Sequence, residues 1–203
     1  MNARSILALT SCLLCAAPTL AQEAKRIDPD KAKVIATPLV EAAKKLDLPF
    51  KLTLDADKGT GVHADKAVGF ILPSTKLTED AIKKLDKEPV PIGILFTHKV
   101  TLVIADQPVP ADQHRSTEIT VGNDTVTVNV MPLAIGKVAG RLVLLVYTKD
   151  KTPALVTELV ESAEKSEFPI DLDARRVGDN RAAAIINVLS RYRAAIQVAG
   201  QGE

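Results

Sequence analysis

Asp55, Asp57, His63 and Asp65 fall within one short stretch, Asp55-Ala56-Asp57-Lys58-Gly59-Thr60-Gly61-Val62-His63-Ala64-Asp65. Three carboxylates and an imidazole at that spacing could converge on a divalent cation, with the glycines letting backbone carbonyls turn inward. The stretch opens like a calcium loop and then departs from it. Gly59 takes the fifth, oxygen-bearing position, Thr60 the sixth, where glycine makes the turn, and Lys66 the twelfth, where a bidentate glutamate belongs. A polar, glycine-softened connection between two strands explains the same residues without a metal and is the stronger reading. These four are the candidate metal ligands, and the only cofactor they suggest is a divalent cation.

Other reactive side chains are scattered. His98 sits among strand-forming residues, where a satisfied or exposed sheet histidine is the ordinary case. Asp112, His114 and Ser116 alternate in a loop, a spacing that does not by itself make a hydrogen-bonded triad. Gly59-Thr60-Gly61 lacks the third glycine and the following helix of a dinucleotide site. No nucleophile elbow, zinc-protease helix or P-loop is present, so nothing positive argues for an enzyme. Five of the nine arginines, Arg175, Arg176, Arg181, Arg191 and Arg193, crowd the C-terminal end. Arg181 near a helix start could help to bind an anion. A solvated helix face paired with Asp171, Asp173 and Asp179 is the plainer alternative.

The first 21 residues differ from the rest. Met1 to Arg4 give a positive start, Ser5 to Ala17 an uncharged apolar run, and Pro18-Thr19-Leu20-Ala21 small residues at the −3 and −1 positions. That layout is a secretory signal cut after Ala21, which predicts a periplasmic or extracellular protein. The run is too short and too broken by Thr10, Ser11 and Pro18 for a membrane anchor. Leu9-Thr10-Ser11-Cys12 offers a second cleavage site, with lipid on Cys12, but it would strand the apolar Leu13 to Leu20. Cleavage after Ala21 removes both cysteines, Cys12 and Cys15, and with them any disulfide, thiolate metal site or cysteine nucleophile. It also leaves 25 basic and 25 acidic residues, since Arg4 is the one charge lost. A neutral chain with four Phe, two Tyr and no Trp is a poor candidate for binding nucleic acid or stacking on bases. The partner is therefore expected to be an unknown protein or small molecule.

Residues 22–203 are expected to form a single α+β domain. Asp28-Pro29 starts a helix through Ile35, Leu39, Ala43 and Leu46, with Pro38 kinking it or restarting it on Thr37. Phe50-Lys51-Leu52-Thr53-Leu54 alternates as a strand, and Ala67 to Leu72 forms another. Thr78 caps a short helix over Glu79 to Leu85. Val90 to Ala105 is β-rich, with a bend at Thr97-His98-Lys99, and Asp106 to Thr117 is an exposed loop. Glu118 to Val121 and Thr125 to Met131 flank a hairpin turn, with Val126, Val128 and Val130 on one face, and Val138-Ala139-Gly140 turns into a central strand over Leu142 to Tyr147. Thr152-Pro153 caps a helix to about Lys165, and Phe168 to Leu172 is a short strand. Asp179 or Asn180 caps a last helix with Ile185, Leu189, Tyr192 and Ile196 on one face. The expected fold is a mainly antiparallel sheet flanked by N- and C-terminal helices.

Residues 35–50 and 155–170 align without gaps, with seven of sixteen positions identical. Two explanations are open: duplication of a helix–strand unit, or chance agreement between amphipathic helices drawn from few residue types. The commitment from sequence is an exported, soluble binding or interaction module. A small, metal-dependent enzyme built on the Asp55–Asp65 stretch is the alternative.

Overall fold

The computed structural model describes residues 24–201. The signal pattern with its cleavage site, Cys12 and Cys15 lie outside the described residues.

From the N-terminal side the chain runs β1 (Lys25–Arg26), α1 (Pro29–Lys44), β2 (Thr60–Ala64), β3 (Ala67–Pro73), α2 (Glu79–Lys83), β4 (Val90–His98) and β5 (Val100–Ile104). It continues through β6 (Gln107–Pro108), β7 (Ser116–Val121), β8 (Asp124–Val138), β9 (Arg141–Val146) and β10 (Leu155–Glu158). The last strands are β11 (Val160–Glu161), β12 (Ile170–Gly178), β13 (Arg181–Val188) and β14 (Tyr192–Gly200). One sheet has the order β1-β2-β3-β4-β8-β9-β10, with β7 also pairing β8. The second has the order β12-β13-β14-β5-β6, with β11 also pairing β14. Neighbouring strands are antiparallel, and the two sheets together make a half-barrel curl.

The chain passes between the sheets three times, from β4 to β5, from β6 back to β7 and from β10 to β11, and two of these crossovers are tight. At the first, β4 leaves the larger sheet and becomes β5 of the smaller one through Lys99, whose φ is 55°. The Val100 carbonyl there accepts from Thr97 Oγ1 at 2.8 Å and from Asn129 Nδ2 at 3.0 Å, which pins the turn. At the second, β10 and β11 are separated by the single buried residue Leu159 and pair with different sheets.

The core is layered because the larger sheet is covered on both faces. Along β3, Phe70 and Leu72 pack outward under α1, while Ile71 packs inward between the sheets. β4 repeats this, with Ile94 and Phe96 outward and Leu95 inward. Strands covered on both sides read as unbroken apolar runs rather than as alternation. α1 supplies Ala32, Ala36, Leu39 and Ala43 to the outer layer. Its start is as expected: the Asp28 side chain accepts from the Asp30 amide at 3.0 Å, with proline next. Pro38 stays inside the continuous helix, and Thr37 is not a new cap. The carbonyl that Pro38 leaves without an amide partner belongs to Val34, which is 63% exposed and so faces water.

Most of the middle of the chain follows the sequence expectations. Thr78 caps α2 by accepting from the Ala81 amide at 3.1 Å. Val128 and Val130 share the outer layer, and Ala139-Gly140 makes the two-residue turn between β8 and β9. The fold class does not follow them. The structure is 51% strand and 15% helix, so it is not α+β with helices at both ends. The expected helix after Thr152-Pro153 is β10 and β11, and the expected C-terminal helix is the β13–β14 hairpin. In β13 and β14 a second period runs through the helical one. Ala184, Ile186 and Val188, then Tyr192, Ala194, Ile196 and Val198, face the inter-sheet core at spacings of two. Alanine is the strongest helix former, but propensity is a weak determinant, and hydrogen-bonded strands on both sides of the hairpin override it. The expected strand over residues 50–54 reduces to one bridge between Leu54 and Ser74.

The internal duplication is overturned as well. Residues 35–50 lie mainly in α1, whereas residues 155–170 form β10, β11 and the approach to β12. Nearly the same residue pattern packs as a helix over one sheet and as edge strands elsewhere.

Candidate functional site

β2 and β12 lie side by side, one from each sheet, without backbone pairing. This seam is stitched at one end. The Leu172 amide donates to the buried Thr60 hydroxyl at 3.3 Å, and Arg26 Nη2 donates to Asp171 Oδ2. Beyond these contacts the seam opens into a cleft of about 370 Å³.

The cleft follows from a change in side-chain size. Elsewhere the space between the sheets is filled by Leu, Ile and Met, among them Ile71, Met131, Leu133, Ile135 and Ile186. Towards the open end the lining shrinks to Ala64, Gly69, Ala174, Ala182 and Ala184. Close packing needs volume from both walls, and these residues do not supply it. Their inward direction is set by register. Leu172, Ala174 and Arg176 alternate along β12, so all three share the core-facing side. Arg176 pairs across the ladder with Ala182, which pairs with Val198, and both of these partners line the same cleft. Arg176 thus brings a guanidinium onto an otherwise apolar inner face at the mouth.

Three other polar groups of the cleft are committed. Thr97 Oγ1 donates to the Val100 carbonyl, and Asn180 Nδ2 donates to the Gly200 carbonyl at 2.9 Å. Arg181 donates to Asp106 twice, from Nη1 to Oδ1 at 3.0 Å and from Nη2 to the carbonyl oxygen at 2.8 Å. Arg176 is held more loosely. Its Nε donates to Gly178 O at 3.1 Å, and its Nη2 lies 3.5 Å from Asp179 Oδ1, on a fully exposed carboxylate.

The four candidate metal ligands are not brought together. Asp55 caps the short 3₁₀ turn Ala56–Lys58, its side chain accepting from the Asp57 amide at 3.1 Å. His63 lies near the far end of β2 and Asp65 just past it, along a strand that advances about 3.3 Å per residue. Among the described residues, no three His, Cys, Asp or Glu side chains are grouped to hold a metal ion. His63 borders the cleft, but strand alternation puts it on the face opposite Val62.

The other histidines have structural partners. His98 Nδ1 lies 2.9 Å from the Thr127 carbonyl. His114 is buried rather than part of an exposed loop, with Nε2 2.6 Å from Thr101 Oγ1 and 3.1 Å from the Val109 carbonyl. Burial lowers its pKa, partly opposed by the hydrogen bond to Val109. Arg181 starts a strand, not a helix, so helix-terminus anion binding does not arise there. A second cavity, of about 320 Å³, lies beneath α1 between Val40, Leu48, Leu54 and Ile94, with Lys44 as its one charged neighbour.

Fold and cleft define the class: an antiparallel β protein of two sheets, crossed three times by the chain and open along an unpaired seam. No protein-family model matches the chain, and neither a curated protein nor a solved structure matches it. Among the described residues no helix is long and apolar enough to cross a membrane. Sequence reasoning singled out Arg176 only as one of five clustered arginines. The period-two run Leu172-x-Ala174-x-Arg176 beside Ala182-x-Ala184 was the signal that could have placed it.

Proposed function

We propose that the chain is an exported binding module that holds a small, largely apolar molecule in the cleft between its two sheets. The observation that carries this reading is the cleft itself: about 370 Å³, walled mainly by Ala, Gly, Val and Leu, with a few polar groups at its mouth. Small-molecule sites have volumes of roughly 300–1,000 Å³ and this mixture of apolar wall and sparse polar groups. The cleft offers no reaction chemistry to match. Its threonine hydroxyl is engaged by a backbone carbonyl, and His63 stands on the opposite strand face from the apolar wall. Export rests on the pattern of residues 1–21.

Calorimetric titration with decanol, a neutral apolar probe, tests the reading. Wild type should bind it saturably. Ala182→Phe, which projects a ring from a half-buried wall position into the cleft, should remove the binding while keeping a cooperative thermal melt. Absence of binding to the folded wild type would overturn the reading.

A further inference from the structure

We infer that the ligand is an amphipathic carboxylate, its chain lying between the sheets and its head group on Arg176. This deepens the proposed function and rests on the cleft being a binding site. Arg176 is set apart by register. It follows Leu172 and Ala174 on the inner face of β12 and sits opposite Ala182, so its stem runs along the cleft wall. A planar guanidinium with donors in a fixed fork matches a carboxylate in two parallel hydrogen bonds.

The surrounding groups favour Arg176 over any other anchor. Arg181 is already taken by two contacts to Asp106. Asn180 is engaged by Gly200. The partner of Arg176 is the exposed Asp179 carboxylate at 3.5 Å, a solvated contact that a ligand carboxylate can replace at little loss. Asp65, on the β2–β3 turn, puts a negative charge on the other wall of the mouth. A single loosely held cation, with Asp65 and Asp179 nearby, suits a single carboxylate end and disfavours a dianion. The small residues at Ala64, Gly69, Ala174 and Ala184 leave an apolar trough leading inward from that point.

Paired titrations with decanoate and decanol separate head-group recognition from the apolar cleft. Wild type should bind decanoate at least about tenfold more tightly than decanol, the increment of one charge-assisted contact. Arg176→Gln should bring decanoate down to about the level of decanol, while a cooperative thermal melt like that of the wild type shows that the variant is folded. Arg176→Lys should restore part of the preference, since the charge returns without the fork. If decanol binds and decanoate binds no better, the carboxylate inference fails while the binding reading stands. If decanoate keeps its advantage in Arg176→Gln, the head group is held elsewhere and the inference fails. If neither probe binds the folded wild type, both fall together.

Discussion

Arg26, at the edge of the larger sheet, donates to Asp171, at the edge of the smaller one, across the seam where the sheets meet without pairing. The two residues are 145 positions apart. Asp171 is 5% exposed, so this contact offsets part of the cost of burying its carboxylate. Its second oxygen, Oδ1, is buried without a hydrogen-bond partner among the described residues. The pair closes one end of the seam, and the cleft opens beyond it.

Removing that partner should be felt. Arg26→Ala is expected to lower stability by about 1–3 kcal/mol, the range for leaving a buried polar group unpaired. Asp171→Asn should cost less, because it removes the buried charge as well. Urea denaturation of both single variants and the double variant gives the coupling between them. Strictly additive losses would mean that the contact does not hold the seam.

His114 should make stability depend on pH. Burial holds its folded-state pKa below the usual 6.5, so the unfolded chain binds the proton first. Stability is then fully present above that usual value and declines as pH falls through it, levelling off below the folded pKa. Unfolding midpoints measured from about pH 7.5 down to pH 5 should fall over this window, and His114→Gln should flatten the fall. A profile unchanged by the substitution would assign the pH dependence to other groups.

The β8–β9 turn stores removable strain. Ala139 and Gly140 have φ of 49° and 81°, the pair of positive angles that a two-residue hairpin requires. Alanine pays for that region sterically, whereas asparagine adopts it readily. Ala139→Asn should raise stability by about 0.5–1 kcal/mol, read from the melting temperature. A loss would show that the turn is held by something other than its backbone angles.

Gly93 and Gly178 should respond oppositely to the same change. A Cβ on Gly93 would lie 2.3 Å from the Leu72 carbonyl oxygen, inside the β3–β4 ladder, where the neighbouring β4–β8 register also shifts. Gly93→Ala should cost about 3 kcal/mol by forcing the strands apart. A Cβ on Gly178 meets nothing within 4 Å, so Gly178→Ala should stay within about 0.5 kcal/mol. Equal denaturation midpoints for the two variants would contradict the packing at Gly93.

Local signals carried the sequence reading as far as local chemistry reaches. The Asp28 and Thr78 caps and the Val126, Val128, Val130 alternation are settled within a few residues, and each is found in place. The Asp55–Asp65 stretch is expected as a polar connection between two strands, whereas the structure places a 3₁₀ turn and strand β2 within it. The segment from Arg181 to Val198 carries periods of both 3.6 and two, and nothing inside it chooses between them. The choice comes from β12 and β5, which offer hydrogen-bonding edges on either side of the hairpin.

By itself the sequence determined charge balance, the scarcity of aromatics, the caps and turns, and which runs are apolar enough to be buried. Tertiary structure decided which of two matching patterns becomes a helix. It puts Leu39 of α1 against the outer face of a sheet and Leu159, its counterpart in the similar segment, at a crossover between sheets. It also decided that Arg176 would face inward at a row of alanines, because a side chain's face depends on strand register. Register is fixed by partners far along the chain, and the side chain alone does not carry it.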